Sequence, residues 1–252
     1  MCIRDRRNIP GVRGTSRLSP YLRFGEISPK TIWHVSKDYS NPGTDHFVRE
    51  VGWREFSYHL MANFPFLANK PLRENFEQFP WRDSDEDYEA WTKGMTGYPI
   101  VDAGMRELYA TGWMHNRVRM IVSSFLVKHL LIDWRKGERW FFDTLLDGDF
   151  CSNNAGWQWV SGGGADAAPY YRIFNPILQG KKFDTGGRYV RKWVPEIADI
   201  PNANLHAPWE LSEGQLQLFG VKLGETYPEP IVNHEFARKR ALESFDQITA
   251  KK

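Results

Sequence analysis

The stretch WMHNRVRMIVSSFLVKHLLI, Trp113–Ile132, decides the fold class. At 100° per residue, Val118, Ile121, Val122 and Phe125 fall on one side of a helix, and Asn116, Arg119, Met120 and Ser123 on the opposite side. The first set is an ordinary core face. The second carries an amide, a guanidinium, a thioether and a hydroxyl. A solvated face accounts for most of that set, but Met120 suits a pocket wall better than plain solvent. The spacing predicts one long helix.

Helix signals continue outward in both directions. Asp102 is expected to cap AGMRELYAT and Gly112 to end it. Downstream, Gly137 is expected to precede the helix ERWFFDTLLD. Ser28 and Pro29 read as an N-cap and first position opening KTIWHVSKD, and Thr44 or Asp45 can cap HFVREVGWREFSYHLMANF, which stops before Pro65. EFARKRALESFDQITA makes a final surface helix. PFLANKPLRENFEQFPW and PNANLHAPWELSEG read as ordered loops. Period-2 strands, internal repeats, linkers and composition breaks are missing, so the expected fold is all-α. Residues 1–8 are expected to be a poorly ordered N-terminal segment, and 9–252 one domain.

Bulk properties exclude several classes. At 252 residues the chain is long enough for a real core. A net charge of +2 is too small to argue for nucleic acid by itself, although a local basic patch is compatible with it. Cys2 and Cys151 are the only cysteines, which excludes a disulfide framework and a cysteine metal cluster, with a reducing, cytoplasmic setting as the default. The most apolar run, Ile121–Leu131, is broken by Lys128 and His129, so no membrane span is expected. MCIRDRR lacks the apolar core of a signal peptide. Eleven tryptophans, ten tyrosines and sixteen phenylalanines exceed ordinary packing needs. An aromatic helical core and a pocket for a flat ring or nucleobases both account for them.

Three further stretches carry candidate chemistry. Glu50, Trp53, Arg54 and Ser57 share one stripe at i, i+3, i+4 and i+7. The Glu–Arg pair alone reads as a weak surface ion pair; Trp53 between them suits a site that stacks a ring and bonds its edge. In GTSRLSP, Thr15, Ser16 and Ser19 place hydroxyls at a helix start, a phosphate cradle or simply a cap. LLDGDFCSNNAGWQW, Leu145–Trp159, mixes Asp147, Asp149 and two asparagines with two tryptophans. On a helix, Trp157 and Trp159 lie about 200° apart and cannot share a face. The glycine run in SGGGADAAP reads as a flexible turn. No clustered histidine or cysteine set supports a metal, and no nucleophile-elbow pattern supports a serine hydrolase.

Taken in order, GTSRLSPYLRFGEISP, EVGWREF, TGYPIVDAGMREL, TGWMHNRVRM, LLIDWRKGERWF, LLDGDFCSNNAGWQW and APYYRIFNP resemble the FAD-binding helical domain of the DNA photolyase and cryptochrome family. The resemblance runs from about Arg7 onward and is closest to the class I photolyases that repair cyclobutane pyrimidine dimers. It implies FAD, active as the reduced anion, with Thr15, Ser16, Leu18 and Ser19 at its phosphates and Arg17 in the same loop. Trp113, Asn116 and Arg119 would line the flavin cavity with Arg54 nearby. Arg119 and Asp147 would pair beneath the flavin. Gly148 belongs to the same wall, Asp149 would accept from ribityl or flavin groups, and Asn153 would face the central ring nitrogen.

The same resemblance implies damaged DNA as partner. Glu50 and Asn116 would bond the damaged bases, Trp53, Met120 and Trp159 would contact the dimer, and Arg7 and Arg117 would hold phosphates. Trp81, Trp134 and Trp157 match an electron-relay triad. Glu50, Asn116, Asn153 and these tryptophans form the implied catalytic set, acting as a lyase by light-driven electron transfer. Asn116, where relatives specific for six-four photoproducts carry His, and Asn153, where plant cryptochromes tend to carry Asp, favour dimer repair. A photoreceptor without repair, or a cofactor-free DNA-binding module, are the alternatives. Ile3 replaces a family Tyr at an FAD-phosphate contact. No antenna chromophore is expected on this chain, and a monomer is expected.

Overall fold

α-Helices and short turns carry the chain, and the computed structural model describes residues 6–39, 42–166 and 171–250. Among the described residues there is no β-strand; extended pairing is confined to isolated bridges, Arg82 with Ile132 and Leu223 with Tyr227. The helices are α1 (Ser19–Arg23), α2 (Pro29–Ser36), α3 (Pro42–Asn63), α4 (Asp85–Lys93), α5 (Pro99–Thr111) and α6 (Asn116–Ser124). They continue with α7 (Trp134–Thr144), α8 (Phe150–Ser161), α9 (Pro176–Phe183), α10 (Arg188–Trp193), α11 (Glu213–Leu218) and α12 (His234–Thr249). None of the described helices is long and apolar enough to cross a membrane. Short 3-10 turns at Pro65–Ala68, Glu74–Gln78 and Pro208–Glu210 shape the expected loops.

The α6 periodicity is realised in the core. Val118, Ile121, Val122 and Phe125 are all buried, and α6 packs on α5 and α8. The helix is shorter than the spacing suggested. The His115 ring accepts the Arg117 N–H at 3.1 Å and caps its start, and the last turn, Phe125–His129, widens to π geometry. Ser28 caps α2 through the Thr31 N–H at 3.0 Å, and Gly112 ends α5 with φ +65°, both as expected.

Other boundaries differ, each for a tertiary reason. Asp102 does not cap α5, which starts at Pro99. Its buried carboxylate instead closes the preceding turn, accepting from the Thr96 N–H (2.7 Å), the Thr96 hydroxyl (2.6 Å), the Gly97 N–H (3.0 Å) and the Tyr227 hydroxyl (2.6 Å). Helix α3 begins at Pro42, so Thr44 and Asp45 lie in its first turn. Helix α12 is capped by Asn233 and is more than a surface helix: Ala237, Ala241, Ser244 and Ile248 are buried, and it packs on the π turn. The glycine run is a packed turn rather than a flexible one, with Gly162 and Gly163 against Phe76 and Gly163 also against Pro71.

Gly137 lies inside α7, which Asp133 caps. A Cβ there would stand 2.2 Å from Cη2 of Trp157, so this glycine lets the indole lie on the helix backbone. Gly137→Ala is therefore expected to destabilise the fold by about 1–3 kcal/mol despite alanine's better helix propensity. Urea unfolding checks it: an unchanged midpoint would mean that the Trp157 ring moves aside freely.

Candidate functional site

The loop before α1, the middle of α3, the polar face of α6 and the N-terminal half of α8 enclose a cavity of ≈ 700 Å³. That volume falls in the usual range of cofactor and ligand sites, roughly 300–1,000 Å³. Glu50, Trp53, Arg54 and Ser57 form one wall. Asn116, Arg119, Met120 and Ser123 form the second, beside Trp113. Asp147, Gly148, Asp149, Asn153, Trp157 and Trp159 form the third. Thr15, Ser16, Arg17, Leu18 and Ser19 close one end, and Arg7 stands at the edge.

Local folding fixes the polar groups on these walls. Nη2 of Arg119 lies 2.9 Å from both carboxylate oxygens of Asp147, and its Nε donates to the Met114 carbonyl at 2.8 Å. Asp149 caps α8 through the Ser152 N–H at 2.8 Å and also accepts from the Tyr58 hydroxyl. Burial pushes the Asp149 carboxyl up, but those hydrogen bonds outweigh it and hold the group below the usual range. Burial and the bond to Asp149 push the Tyr58 phenol up to about 12. Asn153 lines the cavity, and its Nδ2 donates to the Glu138 carbonyl at 2.8 Å.

One end of the cavity is strongly cationic. Arg17 adopts φ +56° and sets its guanidinium 4.1 Å over the Trp113 ring. Burial, together with Arg117, Arg119, Arg7 and Arg17, pushes His115 down to about 4, so the imidazole is neutral amid guanidiniums. Arg7 is paired with Glu50.

A family model described as the FAD binding domain of DNA photolyase matches residues 47–247. The chain belongs to that family. A deoxyribodipyrimidine photo-lyase of Agrobacterium fabrum is 56% identical over 96% of this chain and 51% of its own length. Cryptochrome-1 of Arabidopsis thaliana is 42% identical over 93% of this chain and 36% of its own length. The crystal structure of a bacterial class III photolyase from Agrobacterium tumefaciens superposes with a TM-score of 0.95 at 52% identity, covering 99% of this chain and 52% of that one. The sequence motifs had pointed nearest to class I. The chain spans about half the length of the curated relatives it matches.

The candidate site residues converge on one cavity, with three of them, Trp81, Trp134 and Arg117, off its lining. Trp134 is buried in α7, and Trp81 packs beside Phe79 at a ring distance of 4.3 Å. Trp157 reaches the cavity and makes ring contacts with Phe141 at 5.0 Å and Trp91 at 6.2 Å. Arg117 turns toward Asn8. Arg7 and Asn8, within the segment expected to be poorly ordered, make contacts to Glu50 and Arg117. Ile3 and residues 167–170 of the last motif lie outside the described residues. Sequence reading missed Tyr58, which the stripe could have supplied as the i+4 neighbour of Arg54. It also missed Arg23, whose Nε donates to the Gly148 carbonyl at 2.8 Å across 125 residues with no local signal.

Proposed function

We propose that this chain holds FAD in the cavity and serves light-dependent repair of cyclobutane pyrimidine dimers in DNA. The residues fit the cofactor. Hydroxyls of Thr15, Ser16 and Ser19 stand at the cationic end, α1 begins without a side-chain cap on its first N–H groups, and the cavity has cofactor size. This end suits a diphosphate, with Arg17 and Trp113 beside it. FAD held there as the reduced anion would supply the photoexcited electron that dimer repair needs.

The observation that carries the reading is the amide of Asn153. Its Nδ2 gives one of two N–H groups to the Glu138 carbonyl, and its Oδ1 is an acceptor on a side chain that has no acidic proton. Such a group bonds a ring N–H and favours the reduced cofactor without acting as an acid. Arg119 and Asp147 neutralise each other on the wall. Glu50 offers acceptors for base N–H groups, and Trp53, Met120 and Trp159 give a flipped dimer apolar surface. Flipping is the general route for enzymes acting on bases, photolyases among them. Trp81, Trp134 and Trp157 serve as electron relay toward the cavity.

Light sensing without repair is the second reading, favoured by the comparable similarity to the Arabidopsis cryptochrome. One experiment separates them. The chain reconstituted with FAD and chemically reduced is mixed with an oligonucleotide containing one thymine dimer. Blue or near-ultraviolet light is expected to restore the thymines, and darkness is not. Repair at the dark level with reduced FAD bound would overturn the repair reading.

A further inference from the structure

Arg117 has a setting that its place on α6 does not explain. Its Nη2 and Nε donate to Oδ1 of Asn8 at 2.7 and 3.3 Å, and its guanidinium lies 4.4 Å over the ring of Phe183, the last residue of α9. The group is half-buried, yet the partner on its edge is a neutral amide. The charge that bears on it is the like charge of Arg7, and burial and that repulsion together loosen its proton. Arg7 has Glu50 as a counter-charge. A half-buried cation is ordinarily matched by a carboxylate. Here the fold fixes a guanidinium that, among the described residues, pairs with no carboxylate. Lys182 adds a second cation 5.4 Å from the same ring.

The bonding pattern points to an anion as the missing partner. A guanidinium has five N–H donors. Asn8 takes the Nε–Nη2 edge, so the Nη1–Nη2 fork is left, the edge that grips phosphate through two parallel bonds. Phe183 blocks one face and prevents the plane from tipping. We propose that Asn8 and Phe183 are positioning residues that hold Arg117 as a pre-set contact for a DNA phosphate beside the cavity. This rests on the repair reading above and adds two residues to it.

The test is the affinity of the full chain for a fluorescent duplex carrying one thymine dimer, measured by anisotropy over a salt series. Asn8→Ala and Phe183→Leu keep every positive charge. Each is expected to weaken binding roughly 3- to 10-fold, because ordering one long side chain shifts from folding to binding. The slope of log affinity against log salt should stay at the parent value. Arg117→Gln should weaken binding and reduce that slope by about 0.9, one phosphate contact. If Arg117→Gln changes the slope while the other two variants bind like the parent, the positioning role is wrong and the DNA reading stands. If all three match the parent, Arg117 meets no phosphate and the reading of this rim falls too. Tighter binding by Asn8→Ala would show that Asn8 shields Arg117, which also overturns the proposal. Thermal melting of each variant confirms that the comparison is between folded proteins.

Discussion

Arg119→Met is expected to destabilise the fold by about 3 kcal/mol, the low end for breaking a buried ion pair from one side. The Asp147 side chain is only 5% exposed and that of Arg119 24%, so water replaces the lost guanidinium poorly. The thermal midpoint should fall by about 6–12 °C for a chain of this size. Two terms add in this variant: a stranded carboxylate, and a Met114 carbonyl without its donor. Asp147→Asn separates them. In the double variant the charge is gone from both sides and only the carbonyl loss persists. The double variant should therefore be more stable than the sum of the singles requires, by about 1.5–3 kcal/mol. Additive losses would mean that the 2.9 Å contacts carry no coupling, and Arg119 would act only through Met114.

The pair is also the clearest case of how far sequence carries. Asn116, Arg119, Met120 and Ser123 were legible as a functional face because periodicity and side-chain type are both local properties, and all of them line the cavity. The stripe of Glu50, Trp53, Arg54 and Ser57 was legible for the same reason. Whether two such faces look at one another is not local. The contacts that align them run through Arg23 to Gly148 and Tyr58 to Asp149, spanning 125 and 91 residues. Helix boundaries failed where a side chain serves a distant partner. Asp102 looks like a cap until Tyr227 arrives to share its carboxylate, and Gly137 looks like a helix start until Trp157 lies on it. The same holds for function. Asn153 was identifiable as a candidate wall residue, but only the fold supplies the Glu138 carbonyl that takes one of its N–H groups. Trp157 and Trp159, opposed on α8, do divide their surroundings: Trp157 is buried against Phe141, and Trp159 donates to the Asp166 carbonyl at 3.1 Å.

Glu138 carries the other large effect, as a dependence on pH. Its carboxyl accepts from Nδ2 of Asn154 at 2.8 Å within a network that continues to Gln158, which bonds the Leu67 carbonyl. Burial pushes its pKa up to about 7 from 4.5; the Asn154 bond, Arg135 and Arg139 oppose the rise, and Asp133 adds to it. A raised acid binds its proton more tightly in the folded state. Between about 4.5 and 7 the folded chain thus holds a proton that the unfolded chain has lost. Stability falls as pH rises through that window and levels off above it. The interval is worth about 3 kcal/mol at 1.36 kcal/mol per unit, and water reaching the carboxyl screens it to about 2 kcal/mol. Glu138→Gln keeps an oxygen for Asn154 and leaves the backbone carbonyl to Asn153, but it has no charge to desolvate. The variant and parent should melt together near pH 4. Near pH 8 the variant should melt about 4–8 °C higher. Melting curves that run parallel from pH 4 to 8 would show that folding leaves the carboxyl's hold on its proton unchanged, and that the Asn154–Gln158 network accommodates its charge.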